Sequence, residues 1–226
     1  MTDYVLVHGA WAGGWSHEGL AQDLRALGHR AVVVHLKGLG IRRDEAHPGI
    51  TLTDHIDDVC AAVDEAGLDR FVLVGHSYGG MVVTGAATRL GARIDTIVYL
   101  DAFLPEDGQS LWDITGEYEH HWYIDSQKHK PGYVDPIGAI DFNMVPGVVG
   151  YHPLLTLLEG VKLSGDEKLI PKKSYIFATA YNPTPFPPFA AKAKAAGWDY
   201  HEAPCDHFVM QNQPEITVRG LLGLAG

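Results

Sequence analysis

Short apolar runs and helical spacings take turns along the chain. Tyr4–Val7 and Ala31–Leu36 are near-continuous apolar runs, the pattern of strands buried on both faces. Between them Leu20, Leu24 and Leu27 recur at helical spacing, and Gly28 follows as a stop signal. Ile56, Val59, Cys60 and Val63 mark one face of a second helix, with acids in its first turn where the helix dipole favours them. Phe71–His76 predicts a strand, Met81–Leu90 a helix and Thr96–Asp101 a further strand. Alternation at this pace predicts an α/β fold, a mostly parallel sheet with helices on both faces.

The rhythm breaks from about Phe103 to Lys173. That stretch is rich in aromatic residues and histidine and shows no strands of its own, so a helical lid inserted late in the sheet is expected. The alternation resumes with a strand at Ser174, a helix through Ala190–Gly197, a strand at Trp198–Ala203 and a last helix from about Pro214. Residues 1–226 read as a single domain, its core at about 1–104 and 172–226 and its lid at about 105–171.

Composition narrows the function. The chain has 226 residues, 46% hydrophobic and 20% charged, enough for one sizeable core. Its net charge of −11 argues against nucleic acid, whose phosphates need a basic face. No apolar run is long enough to span a membrane, and MTDYVLVHGA lacks the basic-then-apolar pattern of a secretory leader. Cys60 and Cys205 lie far apart and suit a reducing, cytoplasmic compartment. His120, His121 and His152 match no metal-ligand spacing, so neither a metal nor another cofactor is expected.

The chemistry concentrates at strand ends. Gly75-His76-Ser77-Tyr78-Gly79 follows a strand and opens a helix, the setting in which a sharp turn exposes a nucleophilic serine. A serine needs a base, and His207 occupies the loop between the last strand and the last helix, after Ser77 in chain order. The loop after the first strand, His8-Gly9-Ala10-Trp11, offers the Ala10 N–H, which with that of Tyr78 makes a candidate oxyanion hole. The same loop lacks the lysine of a phosphate-binding loop, so a nucleotide is not expected.

The motifs HGAWAGGW, VGHSYGG, YLDAFLPEDG and CDHFVMQNQP resemble the α/β-hydrolase superfamily. They are most similar to its small branch of plant salicylate methyl esterases, hydroxynitrile lyases and bacterial esterases. The resemblance implies Ser77 as nucleophile, His207 as base and the amides of Ala10 and Tyr78 as oxyanion donors. It also implies an aspartate after the next-to-last strand, where this chain has Ala180-Tyr181-Asn182. Asp101, one strand nearer the nucleophile, is the expected replacement, as in the haloalkane dehalogenases of the same superfamily. Asp206 and Asn182 stay open as alternatives.

Ester hydrolysis through an acyl-enzyme, the work of a carboxylesterase-type serine hydrolase, is the expected reaction. Two alternatives stand beside it, a cyanohydrin-cleaving lyase and a hydrolase-like receptor for a small molecule. The plant lyases have a threonine in place of Gly9 and a lysine in place of Phe208, which leaves this chain without a cation for cyanide. Trp11, Trp112, Trp122, Tyr123, Phe142, Met144 and Phe208 are the candidate pocket residues, suited to a flat or alkyl group. With no arginine between Arg93 and Arg219, a small neutral ester is the expected substrate. Whether the protein is a monomer or a homodimer stays open.

Overall fold

A computed structural model describes residues 1–136, 150–182 and 184–224. The chain begins with β1 (Asp3–Val7), α1 (Glu18–Ala26) and β2 (Arg30–Val33), then α2 (Leu52–Glu65), β3 (Phe71–His76), α3 (Gly79–Leu90) and β4 (Ile94–Leu100). Between β4 and the next core strand come α4 (Leu111–Ile114), α5 (Glu117–Ser126), β5 (Tyr133–Val134), β6 (His152–Pro153) and α6 (Leu155–Leu158). The chain closes with β7 (Lys172–Ala178), α7 (Pro187–Ala195), β8 (Asp199–Ala203), α8 (Val209–Asn212) and α9 (Pro214–Leu224).

Six strands pair in the order β2-β1-β3-β4-β7-β8, every pair parallel. Period-two side chains divide between two cores. Val5, Val7, Leu73, Ile97, Tyr99 and Tyr175 face the layer holding α2, α3 and α7. Tyr4, Leu6, Val72, Val74, Val98, Leu100 and Ile176 face the layer holding α1 and α9. Burial on both sides is why these strands read as continuous apolar runs rather than alternating ones.

The order reverses at β1, because the chain goes outward to β2 and returns to β3 on the other side. Loops leaving β1 and β3 therefore part from each other, and open parallel sheets bind ligands in such a crevice. α2 holds its start with a capping box, Thr51 Oγ1 accepting from the Asp54 N–H while Asp54 accepts from the Thr51 N–H.

Two expectations need correction. The run Ala31–Leu36 forms a strand only as far as Val33, and the Val34 N–H makes one more bond to β1 at the Leu6 carbonyl (2.9 Å); beyond it the Leu36 N–H donates to the His8 ring (Nε2, 3.3 Å) rather than to a strand. The segment between β4 and β7 is not purely helical, since β5 and β6 form an antiparallel ribbon of two residues each. These runs are too short to leave a periodic signature.

Candidate active site

Among the described residues, the side-chain-bearing residues with left-handed backbone are Trp11 (φ 57°), Ser77 (φ 56°) and Asp101 (φ 43°). Ser77 and Asp101 directly follow β3 and β4, and Trp11 lies in the loop after β1. Such backbone costs roughly 1–3 kcal/mol per residue and persists only where surrounding structure enforces it.

The enforcement at Ser77 comes from close packing. A Cβ at Gly75 would lie 2.7 Å from the Gly79 carbonyl oxygen, and one at Gly79 would lie 2.7 Å from that of Val7. One at Gly80 would lie 2.1 Å from the Phe103 carbonyl oxygen. Only glycines let β3, the turn and α3 close this tightly. The Ser77 carbonyl accepts from the N–H groups of Gly80 (2.9 Å) and Phe103 (3.2 Å), which locks the turn.

Asp101 is fully buried. Its N–H donates to the Ile176 carbonyl (2.7 Å), and its Oδ1 accepts from the Ala178 N–H (3.2 Å). Its Oδ2 accepts from His207 Nδ1 at 2.7 Å. The carboxylate thus reaches past the end of β7 to a residue that follows β8. Asp206 takes no part in this pair. It is exposed and caps the turn into α8, accepting from the Phe208 N–H (3.0 Å) and from the Asn212 amide. Asn182 is exposed as well.

The stretch where an acid was missing supplies rings instead. Tyr181 and Phe186 both stack on the His207 imidazole, each at a centroid distance of 4.9 Å, and His76 lies 4.4 Å away. His76 Nε2 donates to the His207 carbonyl (2.9 Å), which fixes the backbone of the loop. Enclosure by these rings opposes charge on both partners of the pair. Burial pulls the imidazole below its ordinary value and pushes the Asp101 carboxyl above its own. With Nδ1–H donating to Asp101, the lone pair of Nε2 is left for the cavity side.

The loop after β1 is tied down at every peptide around Ala10. His8 Nε2 accepts from the Leu36 N–H, so Nδ1 carries the proton and donates to the Gly9 carbonyl (2.9 Å). That carbonyl shares a peptide with the Ala10 N–H, and the two groups of a peptide point opposite ways. Among the described residues the N–H groups of Ala10 and Tyr78 have no hydrogen-bond partner. The Tyr78 hydroxyl donates to His55 Nδ1 (2.9 Å), whose Nε2 donates to the Lys37 carbonyl (2.9 Å). Gly9 faces Ser77: a Cβ there would lie 2.9 Å from Ser77 Cβ and 3.3 Å from Oγ.

Ala10, Trp11, Ser77, Tyr78 and His207 all line one cavity of about 640 Å³. Its walls are mostly apolar, from Phe103, Leu111, Ile114, Tyr123, Tyr181, Phe186 and Pro188. No lysine or arginine lines it among the described residues, and Glu119 brings a carboxylate. Of the pocket residues expected from sequence, Trp11 and Tyr123 line this cavity. Trp112, Trp122 and Phe208 do not. Trp112 stacks on His120 at 3.9 Å, the Trp122 indole donates to the Asp135 carbonyl (2.8 Å), and Phe208 stacks on Trp15. Phe142 and Met144 lie outside the described residues. Tyr181, Phe186 and Phe103 line the cavity without having been expected there, the one sequence signal being the aromatic content of Tyr181-Asn182-Pro183-Thr184-Pro185-Phe186. Among the described residues no cluster of histidine, cysteine or acidic side chains is arranged to hold a metal ion.

Comparison with known proteins agrees with this architecture. The alpha/beta hydrolase family model matches residues 4–219. The chain is 34% identical over 241 aligned positions to the carbendazim hydrolyzing esterase of Nocardioides sp. (strain SG-4G), covering 99% of this chain and 100% of that protein. Salicylic acid-binding protein 2 of Nicotiana tabacum is 35% identical over 104 residues, 46% of this chain and 40% of that protein. Among solved structures, an extracellular alpha/beta-hydrolase from a Paenibacillus species shares the fold with a TM-score of 0.85, at 22% identity over 99% of both chains. The chain belongs to the alpha/beta hydrolase family, in its branch of small esterases.

Proposed function

We propose that this hydrolase cleaves small neutral carboxylic esters through an acyl-enzyme formed on Ser77. The observation that carries the reading is the 2.7 Å bond from His207 Nδ1 to Asp101, beside a serine that lines the same cavity. It leaves Nε2 free to take the Ser77 proton as Oγ attacks the acyl carbon. The oxygen that becomes negative accepts from the Ala10 and Tyr78 N–H groups, whose lack of other partners among the described residues suits that role. Collapse of the adduct expels the alkoxide, which takes the proton held on His207. Water then attacks the acyl carbon, deprotonated by the same nitrogen, and releases the acid.

Residues of the segment between β4 and β7 act as a lid: Leu111, Ile114, Thr115, Tyr118, Glu119 and Tyr123 all face the cavity. A wall whose described residues include Glu119 and no lysine or arginine favours a neutral ester over an anionic one. The same feature weighs against cyanohydrin cleavage, since among the described residues no positive side chain lines the cavity to hold cyanide. Both cysteines are free thiols, in keeping with a cytoplasmic setting.

A panel of p-nitrophenyl acetate and butyrate, a monoanionic succinate ester, carbendazim and mandelonitrile tests the assignment. Neutral esters are expected to be turned over, with kcat/KM for the anionic ester at least about tenfold lower. The Ser77→Ala variant is expected to be silent on all of them. Mandelonitrile cleaved faster than any ester, or esterase activity surviving in Ser77→Ala, would contradict the proposal.

A further inference from the structure

The ribbon β5–β6 grips the loop after β1 at both ends of one residue. The Trp11 N–H donates to His152 Nδ1 (3.3 Å), and the Trp11 indole N–H donates to the Val134 carbonyl (3.0 Å). Val134 and His152 are themselves paired across the ribbon. Trp11 is one of the three left-handed residues, and its N–H belongs to the peptide that follows Ala10. Whatever holds that N–H therefore fixes the backbone immediately beyond the Ala10 donor.

His152 is built to do so. It is fully buried. Its Nε2 stands 2.7 Å from Thr156 Oγ1, and the Thr156 hydroxyl donates to the Pro153 carbonyl (2.8 Å). A hydroxyl that has spent its proton can only accept, so Nε2 carries the hydrogen and Nδ1 presents a lone pair. That is the tautomer the Trp11 N–H requires. The ring also packs on Tyr78 at a centroid distance of 4.9 Å and on Trp11 at 5.6 Å. One imidazole thus touches Tyr78, one of the two proposed oxyanion donors, and Trp11, the chain neighbour of the other.

We infer that His152 is a positioning residue of the oxyanion hole, holding the Ala10–Trp11 peptide through its Nδ1 lone pair so that the Ala10 N–H meets the developing charge. The inference rests on the serine-hydrolase reading above. It makes the ribbon more than packing, because the lid segment supplies one wall of the catalytic electrostatics. Trp11 needs the support because, as a residue with a bulky side chain, it gains nothing from left-handed backbone on its own.

Two amide replacements separate the bonds. In His152→Asn the side-chain oxygen takes the place of Nδ1 and can still accept from Trp11. In His152→Gln the amide reaches Thr156 and leaves the Trp11 N–H without an acceptor. Stopped-flow release of p-nitrophenol from p-nitrophenyl butyrate gives the acylation rate and substrate affinity apart, with circular dichroism reporting folding. For His152→Gln the acylation rate is expected to fall by about 10²-fold, the size of losing one oxyanion donor, while affinity changes by less than about threefold. His152→Asn is expected to recover most of that loss. Thr156→Val, which removes the group that sets the tautomer together with a polar neighbour of the Tyr78 hydroxyl, is expected to cost about tenfold and serves if the Gln variant does not fold. Equal losses in the Asn and Gln variants, or wild-type acylation in His152→Gln or Thr156→Val, would overturn the inference while the wild-type burst stands. A wild type with no burst, or one whose burst persists in Ser77→Ala, would overturn the hydrolase reading itself, and this inference with it.

Discussion

The acid of the proposed triad is the residue whose assignment rests most on geometry. Asp101 holds three hydrogen bonds from three directions, to Ile176, Ala178 and His207. Asp206, adjacent to His207 in sequence, spends its oxygen on the turn into α8. We predict that Asp101→Asn lowers kcat by about 10⁴-fold with KM within about threefold, since the amide cannot fix the imidazole tautomer. Asp206→Asn is expected to stay within about threefold of wild type, because the amide oxygen can still accept from Phe208. Steady-state kinetics on one ester checks both, and a reversed order would move the acid to Asp206. The pairing of Asp101 with His207 and the placing of Ser77 and His207 on one cavity were legible as expectations, because Ser77 and Asp101 stand where a strand pattern stops and His207 lies in the loop after the last strand. The rings around the imidazole were not. Tyr181 and Phe186 approach His207 through tertiary folding alone, and aromatic content says nothing about which way a ring points. Trp112, Trp122 and Phe208 illustrate the same limit, since their neighbours His120, Asp135 and Trp15 draw them elsewhere.

Among elements, the β3–α3 junction explains the glycines. At Gly80 a Cβ would overlap the Phe103 carbonyl at 2.1 Å, a main-chain atom that cannot rotate away. Gly80→Ala is therefore expected to destabilise the fold by about 1–3 kcal/mol or more, from overpacking at a fixed backbone. Gly19 in α1 is the counterpart: it is exposed, and a Cβ there meets nothing within 4 Å. Gly19→Ala is expected to stabilise by about 0.5–1 kcal/mol through helix propensity. Urea titrations of both variants measure the pair, and a stabilised Gly80→Ala would refute the packing account of the turn. The strand order was half-visible, since alternation fixed the parallel sheet and the sharp serine turn fixed one strand end. The ribbon β5–β6 was invisible, because its pairing joins Val134 to His152 across residues with no alternating pattern. Its link to Trp11 spans 141 positions in the chain.

Among the described residues several histidines outside the Asp101–His207 pair are buried, and they set the molecule's response to acid. His8, His17, His55, His76 and His152 are all fully or almost fully buried. Burial lowers His8 and His17 to about 3 and His55 to about 4, and holds His76 and His152 well below the ordinary value. In the unfolded chain the same imidazoles titrate near 6.5. Below that pH the unfolded state binds protons the folded state refuses, so stability is intact above about 6.5 and is lost as pH falls toward the folded values. Each histidine steepens the loss by up to about 1.4 kcal/mol per pH unit. Urea midpoints at steps from pH 7 to 5 are expected to drop steeply, with several protons taken up on unfolding. An uptake below about one proton would contradict the burial. His17→Gln, which alters a ring that reaches His207 only through His76, should reduce the uptake by about one.

Intact-mass spectrometry with peptide mapping, on protein quenched within the burst of p-nitrophenyl butyrate turnover, asks most directly whether the serine turn is a nucleophile. One butyryl group per chain is expected, carried on Ser77, absent in Ser77→Ala and formed far more slowly in Asp101→Asn. A butyryl group on another side chain, or full turnover with no adduct at any quench time, would contradict it.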